Sequence, residues 1–222
     1  MPTRERHSIP FMLIFSVSLL LPISLFAQAP KIPTPVEMMA GHDRLFFQMV
    51  VTKKFAPESR FGFLSVSTFS TDYSNGMENL DLVMPVMVNY TFYKNIGLVA
   101  GTTVNNQVGF SPLAGLQHAF ANREWVAVSI ASFFLNSSRN VELFGIYEYK
   151  PKLSTTFDLY TRLQYMYIHG FSLNQHARSF LQLRTGLKKE AFSFGVGANL
   201  DQYGPEKVFK PNYGVFVGWA FQ

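Results

Sequence analysis

The sequence predicts an all-β chain, a transmembrane antiparallel up-and-down β-barrel of ten to twelve strands. Three observations predict it: period-two hydrophobic alternation in runs of about ten residues, connections that alternate between long and short, and an apolar segment confined to the N-terminus. The closing stretch NYGVFVGWAFQ shows the first most clearly. Tyr213, Val215, Val217, Trp219 and Phe221 share one parity; Asn212, Gly214, Phe216, Gly218 and Ala220 share the other. An apolar face ending in aromatics, opposite a face of small and polar residues, is the pattern of a strand with lipid on one side and a lumen on the other.

Taken in order, the chain starts with a processing segment. Arg4 and Arg6 precede an apolar run from Ile9 to Phe26, which ends in Ala27-Gln28-Ala29. Basic, apolar and small-residue regions in that order read as a cleaved signal peptide over 1–29. Its loss takes the formal charge from +5 to +4. No later stretch reaches 18 consecutive apolar residues, so any membrane crossing must come from strands. Residues 30–44, with three prolines early on, read as an irregular periplasmic leader. The barrel is expected over 45–222, although 37–47 could hold a short helix.

Strand-like runs then follow at 45–54, 60–73, 79–93, 96–105, 110–120, 124–135, 141–150, 155–168, 179–188, 192–201 and 212–221. Ten of these from residue 60 satisfy the even strand number of such barrels. The first run alternates poorly, because Phe46 and Phe47, or Val50 and Val51, disagree about the face. It is either a periplasmic or lumenal segment, or it pairs with a strand not yet recognised to make twelve. Between the runs, the stretches DYSNGMEN, NNQVGFS, LNSSRN, HGFSLNQHARS and LDQYGPEKVFKPN alternate with YKN, ANRE, KPKL and KKEA. With the C-terminal end periplasmic, every long connection falls outside and every short one inside, as in bacterial outer-membrane barrels.

Composition agrees. Charged residues are 15% and aromatics 16% of the chain, sparse charge and heavy ring content for a soluble protein. The Lys and Arg are scattered, without the basic stripe of a nucleic-acid surface. There is no Cys, which excludes disulfides and thiol chemistry.

The N-terminal segment, the successive hairpins and the terminal aromatic of GVFVGWAF resemble the small outer-membrane β-barrel proteins of Gram-negative bacteria. The resemblance covers about 45–222 and includes the hairpin LRTGLKKEAFSFGVGANLDQYGP. It implies residence in the outer membrane, contact with its lipid, and insertion by the barrel-assembly machinery. Gln222 departs from the pattern, which ends on the aromatic itself. The resemblance carries no catalytic residues.

Parity assigns the polar residues expected to line the lumen: Asp81, Asn89, Glu142, Glu148, Asp158, Arg162, Gln164, Gln182, Arg184, Lys188, Asn199 and Asp201. Their charges nearly balance. They read either as a charge-selective constriction in a narrow small-solute pore or as an ion-pair network plugging a structural barrel. Two other readings stay open. External loops at 74–79 and 203–210 could bind a surface ligand. Asp72, Asp81, His169, His176 and Asp201 could form a hydrolytic site at the outer rim, where a His–carboxylate pair would activate water. No catalytic residue is assigned, and no metal, cofactor or nucleic acid is expected. A monomer is expected.

Overall fold

The structure is a computed structural model that describes residues 32–74 and 79–221. The signal peptide expected over 1–29 lies outside the described residues. Twelve antiparallel strands close into a barrel: β1 Thr34–Gly41, β2 Arg44–Lys54, β3 Phe61–Asp72, β4 Asp81–Tyr93, β5 Ile96–Asn105, β6 Gly109–Ala121, β7 Trp125–Phe134, β8 Asn140–Tyr149, β9 Asp158–Gly170, β10 Gln175–Lys189, β11 Phe192–Tyr203 and β12 Val208–Phe221. Each strand pairs with its sequence neighbours, and β1 closes the ring by pairing with β12 from Thr34↔Phe221 to Gly41↔Gly214.

Two expectations are corrected here. Residues 34–41 are not an irregular leader but the first stave, and 37–47 forms no helix: it is the β1–β2 hairpin. The prolines at 33 and 35 hid a strand of regular alternation, with Glu37 and Met39 inward and Val36, Met38 and Ala40 outward. This stave brings the count to twelve and pairs with 45–54, the run whose facing was ambiguous. The ambiguity has a physical cause. β2 turns Phe46, Gln48 and Val50 inward against a partly apolar lumen, so both of its faces carry apolar residues.

The expected contrast in connection length is also absent: connections at both ends run from two to eight residues. At the terminal end, where β1 begins and β12 finishes, the connections are 55–60, 94–95, 122–124, 150–157 and 190–191; at the opposite, loop end they are 42–43, 73–80, 106–108, 135–139, 171–174 and 204–207. Much of what reads as long loop is strand that continues upward, notably the start of β10, the end of β11 and the start of β12. The tight turns at 94–95 and 190–191 use Lys94 (φ 44°) and Glu190 (φ 54°) in the left-handed region that two-residue hairpins need. The β3–β4 ladder lapses between Leu64↔Met87 and Thr68↔Val83. Pro85 sits in that gap and has no N–H to donate.

The outer face is apolar over most of the barrel height: Met84, Val86, Val88, Leu98, Leu116, Leu143, Leu163, Leu183, Val196, Val215 and Val217 all lie exposed. On a water-soluble molecule such a continuous belt would drive association; on a barrel it is the lipid-facing band. Aromatics gather at the terminal end. Phe61 packs on Tyr90 (4.8 Å between ring centroids), Trp125 on Tyr149 (4.3 Å) and Phe192 on Trp219 (6.1 Å). That is the position of an interfacial girdle, where amphipathic rings are most stable.

Candidate functional site in the lumen

The inner wall has two chemically different halves. From β3 to β8 it is mainly apolar: Leu64, Val66, Met87, Val99, Leu113, Ile130, Phe134 and Ile146 form one buried cluster, joined by Val128 and Phe144, and its polar members include Asp81, Asn89, Ser132, Glu142 and Glu148. From β9 round through β12 to β2 it is mainly polar, with a small aromatic patch of Met39, Phe46, Tyr160 and Phe216.

Halfway along the barrel the two halves meet and the lumen is filled. Gln48 on β2 donates through Nε2 to Gln164 Oε1 on β9, 3.0 Å across the barrel. Glu37 on β1 accepts from Arg162 Nη2 at 2.7 Å and Arg184 Nε at 2.8 Å, both through Oε1. Arg162 and Arg184 are direct cross-strand neighbours on β9 and β10. Like charges so placed repel, and one carboxylate held between them offsets this. Arg184 also bonds Asn199 Oδ1 at 2.9 Å and lies over the rings of Phe46 (5.6 Å) and Phe216 (5.8 Å). Gly197 leaves room for it, since a Cβ at that position would strike the guanidinium. A side chain lining a wet channel keeps solvent exposure, yet Gln164, Gln48, Arg184, Glu37 and Arg162 keep only 0%, 1%, 3%, 5% and 6%. The middle of the barrel is packed shut in this conformation.

A chamber lies on either side of this layer. The one toward the terminal end has a volume of about 830 Å³ and is lined by Asn89, Glu148, Lys150, Arg162 and Lys188 among others. Glu148 accepts from Lys150 Nζ at 2.6 Å and from Tyr160 at 3.3 Å. The chamber toward the loop end is smaller, about 230 Å³. Its roof is a strap across the mouth: Arg178 on β10 forks onto both carboxylate oxygens of Asp81 on β4, at 3.0 and 2.5 Å. These strands lie on opposite sides of the ring. Tyr203 donates to the same Asp81 at 3.1 Å, and Arg44 on β2 holds Asp201 at 3.2 Å. Fork-to-fork guanidinium–carboxylate pairs are the strongest and most geometrically specific of the charged contacts.

Of the residues expected to line the lumen, Asp81, Glu142, Gln164, Gln182, Asn199 and Asp201 line the loop-end chamber. Asn89, Glu148, Arg162 and Lys188 line the other. Arg184 lies in the layer between, and Asp158 stands at the terminal rim opposite Lys188 in register. The suggested rim cluster is not assembled. Asp81 and Asp201 turn inward to Arg178, whereas Asp72 caps the 73–80 loop through Ser74. His176 packs at a tilt against Tyr167 and bonds Gly204 O and Ser179, and His169 bonds Asn174. Among the described residues no His ring meets a carboxylate within bonding distance. Of the external loops, 75–78 lie outside the described residues.

Glu37, Arg44, Gln48, Tyr160, Arg178 and Tyr203 belong to this arrangement and were not among the expected lumen residues. The one signal for Glu37 is a lone acid within the otherwise apolar TPVEMMAG. Arg178 shares the inward parity of Gln182 and Arg184, but HGFSLNQHARS reads as an external loop, whereas β10 already begins at Gln175.

No family model and no curated protein matches the sequence. Solved structures do match in fold. A KdgM porin in complex with disordered oligogalacturonate aligns with a TM-score of 0.50 at 12% identity, over 86% of this chain and 99% of that one. A NanC porin aligns at 0.49 and 8% identity, over 86% and 100%. LpxR from Salmonella typhimurium aligns at 0.44 and 6% identity, over 85% and 100%. At such identities the likeness is one of fold. The chain is a transmembrane β-barrel of porin-like architecture. Its twelve staves and two-chambered lumen give it a particular form of that architecture.

Proposed function

We propose that the protein is an integral outer-membrane barrel that passes small solutes along the polar half of its lumen, and that the conformation described is its closed state. The observation that carries this reading is the run of inward polar side chains from one mouth to the other along β9–β12, β1 and β2, with a chamber on each side of the central layer. A purely structural plug has no need of charge there. Buried ion pairs hold a core no better than apolar residues of the same volume, and the opposite wall is already mainly apolar. The Gln48–Gln164 bond is the weakest member of the central layer, being uncharged on both sides. Its parting would join the chambers while Glu37, Arg162 and Arg184 stay together.

Proteoliposome swelling tests this. Wild-type barrels should admit a pentose slowly and a disaccharide hardly at all. Gln48→Ala/Gln164→Ala should raise pentose uptake severalfold, with the barrel still folded. Uptake equal to that of protein-free liposomes, for both proteins, would overturn the reading.

A further inference from the structure

We infer that the loop-end chamber is a binding site for a small organic cation, an ammonium group carried on an apolar body. The chamber has three carboxylates, Asp81, Asp201 and Glu142, and two guanidiniums, Arg44 and Arg178. Both guanidiniums pair with the first two acids, Arg178 with Asp81 and Asp201 and Arg44 with Asp201, although the Nε of each has no hydrogen-bond partner. Glu142 is left over. It lines the chamber, and no hydrogen bond or ion pair within reach of its carboxylate exists among the described residues.

Two further side chains in this region lack partners. Gln182, 3% exposed, lines the same chamber with Oε1 unbonded. Ser132, also 3% exposed, stands directly opposite Glu142 in the β7–β8 register, and its Oγ is unbonded. Buried polar groups normally find partners. Here a carboxylate on the chamber wall, an amide oxygen of a second lining residue and a serine oxygen opposite the carboxylate in register all lack donors, and what they call for is a donor of several hydrogen bonds. An ammonium has three donors and no acceptor.

The remaining walls specify what carries the ammonium. Ile130, Phe134, Phe144, Met166, Ile168 and Phe180 line the chamber. An apolar cavity of about 150 Å³ accepts benzene, so about 230 Å³ accepts a body of six or so carbons together with its charged head. An anion would meet Glu142 unshielded, and a neutral alkane would leave that carboxylate unpaired. The site shares Gln164 with the central layer but does not require the barrel to conduct.

The test is ligand-observed NMR on the full barrel in detergent micelles, with n-hexylammonium as the probe and 1-hexanol and hexanoate as matched controls. Saturable binding of hexylammonium is expected, with hexanol and hexanoate failing to compete. Glu142→Gln should weaken binding by about tenfold or more, the worth of a charge-assisted hydrogen bond. Glu142→Asp, which keeps the charge, should retain the preference for the cation. Binding unchanged in Glu142→Gln, equal competition by hexanol, or a non-saturable signal matching empty micelles would each overturn the inference. Because binding is read without conduction, failure here leaves the channel reading standing, and failure of the swelling experiment leaves this site standing.

Discussion

Glu37→Ala is expected to lower the unfolding stability of the barrel by about 3–5 kcal/mol, the usual cost of removing one partner from a buried charged pair. Glu37 is the single carboxylate holding Arg162 and Arg184 together, and all three are buried. Without it, two guanidiniums directly opposite each other on β9 and β10 remain, with Arg162 Nε and Arg184 Nη2 already lacking partners. Urea unfolding of the lipid-reconstituted barrel, followed by Trp fluorescence, reads the loss. The variant Glu37→Leu/Arg162→Met/Arg184→Met should recover most of it, because the cost lies in stranded charge rather than in missing volume. A loss below about 1 kcal/mol for Glu37→Ala, the range of exposed pairs, would show that the layer is wet and open to solvent.

Gly214→Val is expected to prevent the barrel from closing. Gly214 and Gly41 face each other at the β12–β1 seam. A Cβ on Gly214 would run into the Ala40 carbonyl oxygen and the Gly41 Cα, both of them backbone atoms that cannot turn aside. The seam links the first and last staves, so the strain cannot be spread over a longer sheet, and β12 and β1 would be left with free edges. Nearby, Gly41 leaves room for the amide of Asn212, which accepts from the backbone N–H groups of Asp43 and Arg44 and donates to the Arg44 carbonyl, fixing the β1–β2 turn. Heat-modifiable gel mobility reports closure. Gly214→Val should give only the unfolded band, whereas Val215→Ala, one residue along and facing lipid, should fold. A folded band for Gly214→Val would mean that the seam is looser than described.

The same seam shows where sequence reading succeeds and where it stops. The lipid face was legible because lipid imposes one requirement on every outward position, so β4, β9, β11 and β12 alternate cleanly. The lumen imposes no such uniform rule. Where it is filled by Leu64, Met87 and Ile130 on one side, and by Phe46 and Val50 on β2, apolar residues occupy both parities and alternation fades. That is why β2 looked ambiguous and why β1, with Pro35 and Glu37 inward, did not look like a strand. Arg162 and Arg184 could be placed inward from parity alone. Their partner could not, because Glu37 lies 125 and 147 residues away in sequence and meets them only once the ring is closed. The Arg178–Asp81 strap is hidden for the same reason, and also because the start of β10 reads as external loop.

Single-channel recording in planar bilayers tests the central claim most directly, that a hydrogen-bonded layer at mid-height separates two chambers and closes a solute path. Wild-type protein should be silent for most of a recording and open in rare, brief, small steps. Gln48→Ala/Gln164→Ala should be open for most of the time at a larger unitary conductance. Silence from both proteins, with each shown to be folded and inserted, would contradict a path through the barrel; a wild-type channel that is steadily open would contradict the closed layer.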